Sequence, residues 1–188
     1  DTLSPEKTGV KVDQRGFIIA NEYLETSKPR IWALGDIIGR YMFRHVANEE
    51  AAVAWNNASG DHKHKMDYGA IPFAIFTYPQ IAGVGLVQQE AARTHEILVG
   101  TARYKDVAKG EAMMEEEGFA KAIVEKNTGK ILGFHIFGPD ASTLIQEVVD
   151  LMALGGGVTD LARGIRIHPA LPELIVAPFG RLSDPSPP

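Results

Sequence analysis

The sequence predicts an α+β fold, with an antiparallel sheet and helices in residues 67–188 and a smaller piece in residues 1–66. Three observations carry this reading. Apolar, β-favouring runs recur at 73–77, 81–86, 97–104, 118–125 and 131–137. The last two are joined by Asn127-Thr128-Gly129-Lys130, whose glycine suits a tight hairpin loop, so that pair is antiparallel. Leu144, Ile145, Val148, Val149 and Met152 then repeat at helical spacing behind Pro139-Asp140, with Asp140 as the expected N-cap and Gly155-Gly156-Gly157 as the stop. Strands and helices interleaved around a tight hairpin specify an α+β domain.

Taken in order, 10–12 and 17–19 alternate around Gln14-Arg15-Gly16 and fit a hairpin. Thr26-Ser27-Lys28-Pro29 breaks the chain. Ile31-Trp32-Ala33-Leu34 reads as a short buried strand running straight into Gly35-Asp36. Ligands of open α/β sheets bind just past the carboxyl ends of strands. A glycine there lets backbone approach a ligand, and an aspartate accepts hydrogen bonds from sugar or ribityl hydroxyls. Taken alone, Gly35-Asp36 reads equally as a plain turn. A helix is expected over 43–58, with Ala47, Ala51, Ala54, Trp55 and Ala58 on one face and Gly60 ending it. Its start at 42–45 offers free N–H groups to an electron-rich ligand edge, although His45 by itself is better read as a polar first-turn residue. The stretch 57–67 is polar and reads as a linker. Its His62-Lys63-His64 has no third ligand and is a weak metal motif. A helical turn at 87–94, a solvated acidic run at Glu115-Glu116-Glu117 and a structural His135 inside its strand complete the middle of the chain.

Bulk properties exclude several functions. Net charge is −5, so no basic field exists to hold nucleic acid or an anionic membrane surface. Apolar runs are too short to cross a bilayer, no signal peptide is visible, and a cytoplasmic protein is expected. With no cysteine there is no disulfide, thiolate metal site or dithiol pair. The chain opens on Asp1-Thr2-Leu3 without a methionine and reads as part of a longer gene product.

One segment concentrates chemistry: Ile167-His168-Pro169-Ala170-Leu171-Pro172-Glu173-Leu174. Pro169 biases His168 toward an extended conformation. Pro172 suits the first turn of a short helix, and Glu173 then lies at its positive end. Folded back, Glu173 would fix the His168 tautomer and leave the other ring nitrogen to move a proton. On spacing alone, a proline-rich turn with a surface histidine is the better reading.

The order of these motifs changes that weighting. Ile31-Trp32-Ala33-Leu34-Gly35-Asp36, then Met42-Phe43-Arg44-His45, then Ile71-Pro72 with Phe76-Thr77-Tyr78-Pro79-Gln80-Ile81-Ala82-Gly83-Val84-Gly85-Leu86, then Gly133-Phe134-His135-Ile136-Phe137-Gly138, and finally His168-Pro169 with Glu173, follow one another along 9–182. This succession resembles the C-terminal part of the flavin (pyridine nucleotide) disulfide oxidoreductases, a family that includes dihydrolipoamide dehydrogenase, glutathione reductase and mycothione reductase. The resemblance implies that Gly35 and Asp36 contact the ribityl or phosphate region of FAD, with Met42, Phe43, Arg44 and His45 beside the flavin. It implies that residues from about 70 to 182 form the interface domain of a homodimer, and that His168 and Glu173 are the catalytic acid/base pair, reaching into the partner's active site. It further implies FAD and NAD(P) as cofactors of the full-length enzyme, a disulfide or dithiol substrate such as lipoamide, and an activity closest to dihydrolipoamide dehydrogenase, with a mycothione- or glutathione-reductase-like enzyme as the neighbouring reading. No Gly-x-Gly-x-x-Gly and no cysteine pair occur here, so the chain is expected to be inactive alone. The alternative from another class is a stand-alone, non-catalytic dimerisation or binding module.

Overall fold

The computed structural model describes residues 3–185. They form two compact units, which divide between Tyr68 and Gly69.

The first unit starts with a single helical turn, α1 (Pro5–Thr8). Three isolated antiparallel bridges follow, Val12 with Ile18, Ala20 with Thr26 and Glu25 with Trp32. The first closes the expected hairpin, where the Asp13 carboxylate accepts from the Arg15 and Phe17 amides. The segment from Ile31 to Leu34 does not form the buried strand expected of it. Only Trp32 is bridged, and Ile31 is exposed; the Ile31 carbonyl accepts from Thr26 and the Ala33 N–H donates to Leu24, a pairing too short to make a strand. A 3₁₀ turn, Gly35–Ile38, leads to the helix α2 (Arg44–Ser59), which Gly60 ends by donating its N–H to the Asn56 carbonyl.

The inward face of α2 differs from the alanine stripe the sequence offered. Val46, Glu50, Ala54 and Asn57 are buried, whereas Trp55 is 74% exposed. The two buried polar side chains are there because each satisfies backbone groups. Asn57 donates to the Tyr23 and His64 carbonyls and accepts from the His64 N–H. Such buried amides are kept only when paired. The polar stretch after α2 is therefore tied down and is no free linker: Met66 is buried, and its N–H bonds the Glu22 carbonyl.

The second unit is built on five strands: β1 (Pro72–Ile75), β2 (Gln80–Gly85), β3 (Ile97–Arg103), β4 (Phe119–Glu125) and β5 (Ile131–Gly138). Their order is β1-β2-β5-β4-β3, and every pair is antiparallel. Helix α3 (Gln88–Thr94) joins β2 to β3, and α4 (Ala108–Ala112), which the sequence reading missed, lies between β3 and β4. The tail supplies α5 (Ala141–Leu144), α6 (Gln146–Ala153), α7 (Val158–Arg163) and α8 (Glu173–Val176).

The pleat assigns alternate residues to opposite faces. Ala82, Ala102, Ala120 and Ile136 stand in one register row, and Val84, Ala122 and Phe134 in the next. These residues form one core with Leu144, Ile145, Val148, Leu161, Leu171, Leu174 and Ile175 of the helical tail. Small residues on β3 and β4 leave room for Phe134, whose ring stacks on Phe179 at 5.6 Å. A shift of register at Ile123/Val124 reverses the parity of β5, so Ile131 enters this core while Leu132 joins Ala91, Ile97 and Ile123 in the second cluster, on the other face. His135 is half-buried there. Its Nε2 lies 3.1 Å from the Leu86 carbonyl, and burial holds its imidazole below the usual histidine range. That is the structural role the sequence assigned it.

Asp140 precedes α5 but does not cap it. It sits at φ 58° with no side-chain bond to the helix. Gln80 takes the task from β2, its Oε1 accepting from the Ser142 N–H at 3.1 Å and the Ser142 hydroxyl at 2.9 Å.

Candidate functional site

The sequence-predicted residues fall into two groups, one in each unit.

In the second unit, α8 is short but firmly seated, since Leu171, Leu174 and Ile175 are all in the core. Pro172 occupies the N-cap position and Glu173 the first helical residue. From there Glu173 turns back on the preceding segment. Its Oε1 lies 2.8 Å from His168 Nδ1, and its Oε2 accepts the Ala170 N–H at 3.1 Å. The carboxylate is thus fixed at both oxygens. Its bond to His168, followed by the Ala170 amide, holds it below the usual carboxylate range. The imidazole side chain is 68% exposed. A carboxylate on Nδ1 selects the tautomer that carries its proton there and leaves Nε2 as an acceptor facing outward.

The approach to His168 is held by a residue the sequence reading did not single out. Arg166 donates from Nη1 to the Leu161 carbonyl at 2.7 Å and from Nη2 to Glu147, and its side chain is only 11% exposed. Between these anchors the chain shows apolar side chains to solvent. Ile165 and Ile167 are exposed, as are Leu154 and, on the β1–β2 connection, Phe76 and Tyr78.

In the first unit, Gly35 is buried at φ 71°, a conformation that disfavours any residue with a Cβ. Asp36 follows it on the 3₁₀ turn and is exposed. Phe43 is the N-cap of α2 and provides no side-chain cap, so the helix opens on backbone amides. Met42, Arg44 and His45 are exposed around that opening. Rings run along it in a ladder: Tyr68 on Tyr41 at 5.5 Å, Tyr41 on Phe43 at 6.5 Å, Phe43 on His45 at 5.2 Å. No group of three or more metal-ligating side chains occurs among the described residues, and among them no helix is long and apolar enough to cross a membrane.

Comparison with known families agrees with both units. The pyridine nucleotide-disulphide oxidoreductase dimerisation domain matches residues 71–178, and the pyridine nucleotide-disulphide oxidoreductase domain matches residues 1–51. This chain belongs to the pyridine nucleotide-disulphide oxidoreductase family. A mycothione reductase of Mycobacterium tuberculosis is 42% identical over 182 residues, covering 93% of this chain and 39% of the relative. A dihydrolipoyl dehydrogenase of Synechocystis is 38% identical over 189 residues, covering 95% of this chain and 40% of the relative. Among solved structures, the HOCl-induced flavoprotein disulfide reductase RclA of Escherichia coli superposes with a TM-score of 0.86 at 26% identity, over 96% of this chain and 42% of that one. The chain therefore spans about 40% of the length of the relatives it matches. Members of this oxidoreductase family depend on FAD and NAD(P).

Proposed function

We propose that this chain is the flavin-facing and dimer-forming part of a cytoplasmic FAD- and NAD(P)-linked disulfide oxidoreductase of the dihydrolipoamide dehydrogenase type, and that His168, polarised by Glu173, moves the proton of a substrate thiol. The observation that carries it is the His168–Glu173 pair: an exposed imidazole whose Nδ1 is held at 2.8 Å by a carboxylate whose chain neighbours Leu171, Leu174 and Ile175 are in the core. His168 Nε2 accepts the proton of a substrate S–H group, leaving the electron pair on sulfur as a thiolate. Glu173 stabilises the imidazolium so formed, and in the reverse direction the same nitrogen returns the proton. Bound FAD supplies electron transfer between nicotinamide and disulfide. Gly35 and Asp36 suit its ribityl and phosphate end, because Asp36 is an exposed acceptor on a turn whose backbone can come close. The uncapped start of α2, with Met42, Phe43, Arg44 and His45, suits its electron-rich edge.

The homodimer forms through residues 70–182, where the exposed Ile165 and Ile167 lead into the histidine. The missing cysteine pair and Gly-rich nucleotide motifs lie outside this stretch, so it does not turn over by itself. A second reading, mycothione reductase, is favoured by the 42% identity to that enzyme. The test replaces His168 by Gln in the full-length protein and follows turnover with dihydrolipoamide and with mycothione disulfide. On the true substrate, turnover falls by roughly 10²–10⁴-fold while FAD content is unchanged. Unchanged turnover removes the catalytic assignment, and a monomer in light scattering removes the interface.

A further inference from the structure

Glu50 is the one fully buried carboxylate among the described residues, at 0% exposure, and the proposed chemistry does not use it. Burying a carboxylate is costly unless its oxygens are paired. Here each oxygen has a partner. Oε2 accepts the Gly35 N–H at 2.6 Å, and Oε1 accepts the Tyr68 hydroxyl at 2.8 Å. Burial, with the bond to Glu50 next, pushes the Tyr68 phenol up to about 12, so it stays a donor throughout the physiological range.

The partners matter because of what they carry. Gly35 opens the turn that presents Asp36. Tyr68 begins the ring ladder that passes through Tyr41 and Phe43 to His45, and the Arg40 guanidinium lies over its ring at 4.6 Å. One carboxylate on α2 therefore braces both segments assigned to the flavin from behind: the turn directly, and the helix opening through the aromatic ladder.

We infer that Glu50 is a positioning residue for flavin binding, fixing the Gly35–Asp36 turn against α2 so that Asp36 and the opening of the helix form one preorganised surface. The inference rests on the flavin reading above. A loosened turn presents Asp36 in many orientations, and binding then has to supply the ordering. Glu50→Ala leaves the buried Gly35 amide without an acceptor, which weakens FAD binding on the order of tenfold or more. Glu50→Gln keeps an acceptor for Gly35 and can donate to the Tyr68 oxygen, so it restores affinity to within about threefold of the parent.

The experiment reconstitutes the full-length apoprotein with FAD and reads the dissociation constant, the visible flavin absorption envelope and the thermal midpoint. Asp36→Ala tests the underlying reading. If Asp36→Ala binds FAD with parental affinity, the Gly35–Asp36 turn is no flavin site, and the inference falls with it. If Asp36→Ala is weakened but Glu50→Ala keeps parental affinity and absorption, the positioning role alone is overturned. Weakened affinity with an altered flavin envelope in Glu50→Ala, rescued by Glu50→Gln, supports it. A Gln variant as impaired as Ala in both affinity and thermal midpoint marks Glu50 as a general fold element and overturns it. Should Glu50→Ala fail to fold, Glu50→Asp, one methylene short of spanning both partners, is read by the same criteria.

Discussion

Replacing Arg166 by Ala should loosen the segment that delivers His168. Its Nη1 makes a charge-assisted bond of 2.7 Å to the Leu161 carbonyl, on a side chain only 11% exposed. Loss of such a bond costs about 1.5–3 kcal/mol. Nη1 also donates to the Gly164 carbonyl, which is exposed and taken over by water once the arginine is gone, and the long 3.4 Å bond from the Gly164 N–H to the Leu161 carbonyl compensates only weakly. The pairing with Glu147 adds little, because that carboxylate is 38% exposed and is rehydrated once the arginine is gone; about 1 kcal/mol is an upper figure. The sum is roughly 1.5–4 kcal/mol, which for a chain of this size lowers the midpoint by roughly 3–15 °C. Thermal unfolding followed by circular dichroism reads it. Glu147→Gln should cost less than half as much, because it leaves the Leu161 bond in place. An Arg166→Ala midpoint within a degree of the parent, or a larger effect from Glu147→Gln, would refute the view that the backbone anchor, not the ion pair, holds this segment.

Other expectations follow from the same structure. Phe134→Ala should cost roughly 3–5 kcal/mol in urea denaturation, whereas Phe119→Ala, at a site 36% exposed, should cost clearly less. Gln80→Ala should cost about 1 kcal/mol by removing the acceptor at the start of α5, and Asp140→Ala should leave that cap intact. Because Glu173 is held below its ordinary value of 4.5 in the folded state, its contribution to stability is complete above that value and disappears as pH falls through the lower, folded value. The stability difference between parent and Glu173→Gln should therefore be flat from pH 5 to 6 and shrink toward zero in strong acid, as followed by denaturation at fixed pH.

How much of this was legible in the sequence depends on whether a signal is local. Spacing alone left the His168–Glu173 contact as the weaker reading, and the succession of motifs raised it; the chain turns over 168–172, and α8 begins at Glu173, which reaches back to the imidazole. Helix α2 was readable from its length and from Gly60. Its inward face was not, because periodicity searches for apolar residues, and here Glu50 and Asn57 point inward to satisfy backbone groups. The Gly35–Glu50 bond spans fifteen residues and Gln80–Ser142 sixty-two, with no motif to announce either. Asp140 looked like a cap because Pro-Asp commonly opens helices, yet its positive φ turns the carboxylate away. The parity change at Ile123/Val124 leaves no trace in the sequence, because Ile123, Val124, Ile131 and Leu132 are all apolar and all buried. Helix α4 is five residues long and too short for a periodic stripe.

The most direct test of the proton-transfer role is the pH dependence of kcat/KM for the full-length protein and its His168→Gln variant on the preferred thiol substrate. The parent rate should depend on pH through His168, and the variant should be slower by orders of magnitude and lose that dependence while still binding FAD. A variant that retains both the parental rate and the parental profile would contradict it.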